Sequence, residues 1–159
     1  MNTQHLVLAD QPHGLFAVYG DQPGGAIWVL DWHGRRYGQS RAIRIRGTAG
    51  NVGYDDNQWL RLADVAGRNP DDPDDIRHWE FRVGWRHRWT RTYSDGWYDQ
   101  TRCTRIEPTE QGQVEEWLKA ALDLPRRPVS PAMDPVEQLD PRLRRLLGLE
   151  GPPASDDSR

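Results

Sequence analysis

The chain has 159 residues, of which 36% are apolar and 28% are charged, and its formal net charge is −3. That length suits one domain with a substantial core, and no run of about eighteen apolar residues is present that would predict a membrane span. The single cysteine, Cys103, excludes an internal disulfide and a cluster of thiolate metal ligands within one chain.

Residues 1–47 have the pattern of a β-meander. Short apolar runs at 5–9 and 15–19 are separated by proline and glycine, and a strand at 26–32 is followed by a glycine turn and a further strand that reaches residue 45. The first ten residues lack the basic start and the apolar stretch of a secretory signal, so we expect a cytoplasmic protein.

The segment 48–76 is predicted to be mostly loop, because glycines crowd its start and aspartates and prolines its end. Within it, residues 58–66 suit either a short helix capped by Asp56 or a strand, and periodicity cannot decide over so short a run. The alternation of Leu60 and Leu62 favours the strand.

One long β-hairpin is predicted over residues 77–106, and the rest of the chain is expected to be organised around it. Apolar side chains occupy every second position from Trp79 to Trp89, which is the period of a strand. Ser94-Asp95-Gly96 supplies turn residues, and a return strand over about 98–106 is expected to pair with the first strand.

A helix is predicted over residues 109–123, with Thr109 as its N-cap and apolar residues at the spacing of one helix face. Residues 125–150 are predicted to form a proline-rich linker and a short amphipathic helix, and 151–159 to be disordered. So short a helix is marginal alone, so it must dock on its own sheet or on another chain. The residues predicted to dock are Leu139, Leu143, Leu146 and Leu147.

The fold class predicted from these elements is mainly β, of the α+β type. Residues 1–124 are expected to form a single domain in which about five to seven antiparallel strands build a twisted sheet or a small β-barrel. The 109–123 helix packs on this sheet, and the C-terminal segment forms a helical arm.

Charge is segregated along the chain, and the basic segments coincide with predicted hairpins. Residues 33–47 carry five arginines and no acid, and residues 77–105 carry seven arginines against three acids. If the two hairpins are neighbours in one sheet, their arginines can share a face. The residues predicted to bind an anionic partner are Arg44, Arg46, Arg82, Arg86, Arg88, Arg91, Trp97 and Tyr98.

Two kinds of anionic partner fit this surface. Guanidinium groups pair with phosphates and aromatic rings stack on bases, each stack worth about 1–3 kcal/mol, which favours nucleic acid. The negative net charge counts against a duplex binder and is compatible with an acidic protein surface. In the alternative without a partner, the arginines are solvated or paired with the aspartates of residues 71–75.

The eight tryptophans are more than a core of this size is expected to hold. Tryptophan and arginine are enriched at interface hot spots, so a protein partner explains the same composition. The competing explanation is an aromatic pocket for a small molecule, in which Trp28 and Trp32 share one face of a strand.

An enzymatic role has weak support in the sequence. Two carboxylate–imidazole pairs, Asp31 with His33 and His78 with Glu80, lie at the spacing of one strand face and are the catalytic candidates. No phosphate-binding loop, nucleophile elbow or metal-binding histidine pair accompanies them, so no metal site and no cofactor is expected. His87 lies on the apolar parity and is predicted to be a hydrogen-bonded core residue.

The function predicted from the sequence is that of a small non-enzymatic binding or accessory protein within a larger complex, whose arginine- and tryptophan-rich sheet face meets nucleic acid or an acidic protein. One alternative is an adaptor, phage-structural or immunity-type protein that uses the C-terminal arm. The other is a small β-barrel enzyme or ligand-binding protein. Because 20 of the 21 basic residues are arginine, a bacterial or phage genome of high GC content is expected.

Overall fold

Ten β-strands, one 3-10 helix (Leu8–Asp10) and one α-helix make up the part of the chain that the computed structural model describes, residues 3–36, 38–92, 96–128 and 146. The strands are β1 (His5–Val7), β2 (Gly14–Gly20), β3 (Ile27–Trp32), β4 (Arg41–Ile45), β5 (Leu60–Arg68), β6 (Ile76–His78), β7 (Glu80–Arg82), β8 (Arg86–Arg91), β9 (Trp97–Asp99) and β10 (Cys103–Thr109), and the helix is α1 (Gln111–Leu122).

The main sheet is antiparallel and open, with the strand order β10-β2-β3-β4-β5-β8-β9, and β6 pairs with the C-terminal end of β5. A second sheet contains only β1 and β7. The predicted mainly β fold is confirmed, as is the predicted helix on the sheet. The barrel alternative is wrong because the two end strands of the main sheet, β10 and β9, do not pair with each other.

The inner face of the main sheet carries the larger core. Trp28 on β3 stacks on Trp89 on β8, with ring centroids 4.6 Å apart and planes 9° apart. Because β4 and β5 separate those strands in the sheet, the sheet must curl for the two rings to meet. The small β1–β7 sheet adds Leu6 and Phe81 to this core.

The outer face of β3 and β4 carries the second core, under α1. Val29 and Ile43 pack there with Val114 and Ala121 of the helix. Both faces of β3 are therefore covered, which explains why its sequence is almost continuously apolar.

The N-terminal meander is confirmed for β2, β3 and β4, which pair in sequence order. The first predicted strand is β1, but it pairs with β7 instead of β2 and leads into the 3-10 helix. The strand alternative for residues 58–66 is confirmed by β5.

The prediction of one long hairpin over residues 77–106 is wrong, because the alternating run is broken twice. Trp79 adopts a left-handed backbone conformation (φ 57°), and its N–H donates to the Val65 carbonyl at 2.7 Å while its carbonyl accepts from the Leu8 N–H at 3.0 Å. Gly84 (φ 88°) makes the second break. The run thus changes partner from β5 to β1 and back to β5.

The predicted return strand is also divided. β9 pairs with β8 as expected, but β10 pairs with β2 at the opposite edge of the main sheet. Thr109 ends β10, so Glu110 and not Thr109 stands at the N-cap position of α1.

The C-terminal arm falls almost entirely outside the described residues. Of the four leucines predicted to dock, Leu139, Leu143 and Leu147 lie there, and Leu146 is described with an exposed side chain. The arm and the boundary at residue 124 therefore stay predictions. The beginning of the predicted linker packs on the domain, since the Arg127 guanidinium donates to the carbonyls of Gly47 (3.1 Å) and Gly50 (3.0 Å).

Candidate functional site

The structure divides the arginines of the predicted binding face among three places. The register pairs Arg44 with Trp28, which turns Arg44 towards the inner face, and the parity of β8 turns Arg91 the same way. Arg44 donates to both carboxylate oxygens of Asp56, and Arg91 pairs with Asp55. These two arginines are therefore components of the core, and the Tyr98 ring lies within cation–π distance of both.

Two further arginines are tied to the chain elsewhere. Arg46 donates to the Pro125 carbonyl and so holds the segment that follows α1. Arg82 pairs with Glu80 at 3.4 Å and lies over the Trp85 ring at 4.9 Å. Neither of them lies on the surface that Arg86 and Arg88 share.

That surface is formed by the outward side chains of β5, β6, β8 and β9, and we call it the outer arginine face. Its residues come from three rows of the register: Ile76, Arg68 and Arg86; His78, Ala66, Arg88 and Asp99; Asp64, Thr90 and Trp97. A depression of about 410 Å³ lies over the first two rows.

The outer arginine face contains both paired and unpaired charges. Arg88 makes a bidentate ion pair with Asp99, at 2.8 and 3.0 Å, and this hydrogen bonding raises the pKa of Arg88. His78 Nδ1 lies 2.8 Å from an Asp64 carboxylate oxygen. Within the described part of the chain, no carboxylate pairs with Arg68 or Arg86, although these two arginines stand directly opposite each other on neighbouring strands.

Trp97 supplies the aromatic part of this face. Its side chain is 39% exposed, and the Arg88 guanidinium lies over its ring at 3.9 Å. Of the other seven tryptophans, Trp28, Trp32 and Trp89 are buried and the remaining four are partly buried.

The loop between β5 and β6 borders the outer arginine face and is acidic. Asp71, Asp72 and Asp74 are exposed, and their backbone is ordered by bonds within the loop, such as the Asp74 N–H to the Asp72 carboxylate at 3.1 Å. Asp75 pairs with Arg77 at 2.8 Å, and the Asn69 amide and Arg77 lower its pKa. These aspartates leave Arg68 and Arg86 unpaired, although Arg68 immediately precedes the loop.

Two spaces lie beside Trp28 in the described residues, and the larger, of about 90 Å³, is too small for the pocket expected around Trp28 and Trp32. A void of about 10 Å³ lies beside Trp28, roughly the room of one water molecule. It is lined by Arg44, Asp55 and Tyr98 among others, and the Tyr98 hydroxyl is buried without a hydrogen-bond partner in the described residues. The core is therefore filled by side chains.

The catalytic candidates do not converge. Asp31 and His33 do pair, at 2.8 Å, with Arg41 on the second Asp31 oxygen. His78 pairs with Asp64 and not with Glu80, which bonds instead to His5 at 3.0 Å.

Two buried groups that resemble reactive residues are structural. His87 is buried against Phe81 and its Nε2 accepts the Arg82 N–H at 3.1 Å, as the prediction of a hydrogen-bonded core histidine requires. Desolvation lowers the pKa of His87 to about 4. Desolvation also raises the pKa of the Cys103 thiol to about 11, which disfavours the thiolate.

Sequence reasoning missed Arg68, which completes the outer arginine face. It lies in a segment that reads as acidic loop from its composition, and a register irregularity between Leu62 and Asp64 changes which β5 residues point outward. The only feature of the sequence that could have identified Arg68 is its position at the end of a run with the alternation of a strand.

Comparisons with known proteins returned no match: no family model matches the chain, no curated protein matches it, and no solved structure matches it. The function is therefore inferred from the residues of the site itself.

No helix among the described residues has the length and apolar character needed to cross a membrane. The same residues contain no group of three or more histidine, cysteine or acidic side chains arranged to hold a metal ion.

Proposed function

We propose that this protein is a non-enzymatic binding protein of a larger complex, and that its outer arginine face takes up an acidic segment of a protein partner. The observation that carries this proposal is the cross-strand pair Arg68 and Arg86, which has no carboxylate within the described chain. A cytoplasmic location remains a prediction from the sequence.

An acidic side chain of a partner can pair with Arg68 and Arg86. Like charges directly opposite in a sheet repel, and a carboxylate placed between two guanidinium groups turns this repulsion into two charge-assisted hydrogen bonds. An ion pair at exposed side chains contributes about 0.2–1 kcal/mol. Ile76 and Trp97 flank the arginines with exposed apolar surface, and tryptophan and arginine are the residue types enriched at interface hot spots.

The surrounding charge favours a protein over a nucleic acid. Asp71, Asp72 and Asp74 border the face and would repel a phosphate backbone within a Debye length of about 8 Å. The Arg88 guanidinium already lies over the Trp97 ring, so a stacking base would have to compete with it. An acidic segment of limited length avoids the loop, whereas a long polyanion cannot.

The filled core supports surface binding over the pocket alternative. A small-molecule site around the tryptophans needs a cavity of at least about 300 Å³, and the two spaces beside Trp28 measure about 10 and 90 Å³. The separation of the two carboxylate–imidazole pairs likewise supports a non-enzymatic role.

The test is a fluorescence-anisotropy titration of the full chain with two labelled probes, hexaglutamate and a single-stranded oligothymidylate. An extended peptide of about six residues spans about 20 Å, close to the width of the four strands of the face. The variant is Arg68→Gln with Arg86→Gln, and the matched control is Arg126→Gln, an exposed arginine of the segment after α1.

We expect hexaglutamate to bind, and the double variant to bind it at least tenfold more weakly while the control is unchanged. Tighter binding of oligothymidylate at every salt concentration between about 50 and 200 mM would assign the face to nucleic acid instead. Absence of binding to both probes, or equal loss in the control, overturns the proposal.

A further inference from the structure

A second depression, of about 620 Å³, lies where β2 begins, β3 ends and β4 begins. It shares no lining residue with the outer arginine face. Its lining residues are His13, His33, Gly38, Gln39, Arg41 and Arg61. Four of these six residues have a side chain that is cationic or becomes cationic on protonation.

Asp31 arranges two of these groups side by side. One of its carboxylate oxygens lies 2.8 Å from His33 Nε2, and the other accepts from Arg41 Nε at 2.8 Å. The Asp31 side chain is only 14% exposed, so its oxygens are committed to these two partners. The carboxylate thus orients an imidazole and a guanidinium towards the same space.

Arg61 adds a positive charge that nothing in the described chain balances. It stands directly opposite Arg41 in the β4–β5 register, so the row across the sheet reads Asp31, Arg41, Arg61 with one acid for two arginines. The His13 ring lies 5.3 Å from the His33 ring and closes the other side of the depression.

From this arrangement we infer that the depression around His13, His33, Arg41 and Arg61 is a binding site for a phosphate-type oxyanion. Guanidinium forks match the oxygens of a tetrahedral oxyanion, and the His13 imidazole can donate a third hydrogen bond. A metal cation does not fit, because the two arginines repel it and no suitable set of three metal ligands occurs among the described residues.

The depression is larger than a single oxyanion, so it leaves room for an organic group attached to one. A single oxyanion fills only a small part of about 620 Å³, whereas ligand sites typically measure about 300–1,000 Å³. Arg41 also lies over the Trp59 ring at 4.6 Å, which fixes its position beside the space. The ligand class is therefore a phosphomonoester of a small molecule, with free phosphate as the minimal ligand of the same chemistry.

The test is an NMR titration of the isotopically labelled full chain at neutral pH, in which the histidine ring signals are followed. The probes are inorganic phosphate, phenyl phosphate and, at matched ionic strength, sodium chloride. His5 is the internal control, because it is exposed, lies outside the depression and is paired with Glu80.

We expect saturable shifts of the His13 and His33 signals with both phosphates, and no such shift with chloride or at His5. Arg61→Gln should weaken phosphate binding at least fivefold, whereas Arg126→Gln should leave it unchanged. Tighter binding of phenyl phosphate identifies an organic ligand, and equal affinity identifies the free anion; both outcomes support the oxyanion site.

Shifts that do not saturate, equal shifts with chloride, or full affinity in Arg61→Gln overturn the inference. The result is independent of the outer arginine face, since the Arg68→Gln, Arg86→Gln double variant retains every residue of this depression.

Discussion

Replacing Arg86 by glutamine is expected to stabilise the fold slightly, whereas the same replacement two residues along β8, at Arg88, is expected to destabilise it. Arg86 faces Arg68 across the strands, and neither has a carboxylate partner in the described chain. Arg88 makes two hydrogen bonds to Asp99, at 2.8 and 3.0 Å. The two replacements remove the same charge from the same face, but Arg88 also has the ion pair with Asp99 and the contact over the Trp97 ring.

The magnitude follows from the exposure of these side chains. Two guanidinium charges about 6–8 Å apart in water repel by about 0.5–0.7 kcal/mol, and physiological salt screens roughly half of this. Arg86→Gln should therefore raise the free energy of unfolding by about 0.3–0.7 kcal/mol. Loss of a half-exposed bidentate ion pair should lower it by about 0.2–1 kcal/mol in Arg88→Gln.

The assay is urea unfolding followed by tryptophan emission, at low and at high salt. The gain in Arg86→Gln should shrink as salt is added, because the repulsion is screened. If Arg86→Gln destabilises the protein as much as Arg88→Gln does, then Arg86 has a structural role and the argument for an external partner fails.

Three further predictions concern the core. The pKa of about 4 for His87 in the folded protein lies below its unfolded value of about 6.5, so the unfolded state binds the proton first as the pH falls. The free energy of unfolding should therefore fall by about 3 kcal/mol from pH 6.5 to 4. Urea titrations across this range check the prediction, and an equal fall of the free energy of unfolding in His87→Gln contradicts it. Trp89→Ala should cost about 3–5 kcal/mol and Trp97→Ala about 1 kcal/mol by the same assay, because only Trp89 is fully buried. Asp56→Ala should lower the free energy of unfolding by about 3–5 kcal/mol, because the buried Arg44 guanidinium loses its carboxylate partner. The double variant Asp56→Ala with Arg44→Met should regain part of this stability.

The local sequence pattern was sufficient to predict strands and their pairing where strands that follow each other in the sequence are also neighbours in the sheet. β2, β3 and β4 are consecutive, and their apolar runs and intervening turns predicted both the strands and their pairing. The α1 face was predicted for the same reason, since Val114 and Ala121 are fixed by the helical period.

Local pattern failed where the chain changes partner. From Trp79 to Trp89 the alternation is real, and Phe81, His87 and Trp89 point into the core as predicted. The breaks at Trp79 and Gly84 do not change the alternation of inward and outward side chains along this run. The sequence pattern therefore does not predict the breaks. Each break is stabilised by hydrogen bonds to distant residues, such as Val65 and Leu8 for Trp79.

The sequence predicted the chemical character of the candidate site but only some of the residues that form it. The arginine-rich character of β8 and the presence of Trp97 are visible in the sequence, whereas Arg44 and Arg91 were placed on the same face and lie in the core. A one-residue change of register moves every side chain of a strand to the other face of the sheet. The face on which an arginine lies therefore cannot be predicted until the register is known.

The sequence by itself determined the fold class, the meander, the helix and the residues that fill the inner core, because these depend on local periodicity and on burial of apolar surface. Only the tertiary structure decided that β10 pairs with β2 and that the sheet curls until Trp28 meets Trp89. It also decided that Arg68 and Arg86 face each other with no acidic partner among the described residues. Those features depend on contacts between residues far apart in the chain, whose free energies no local pattern encodes.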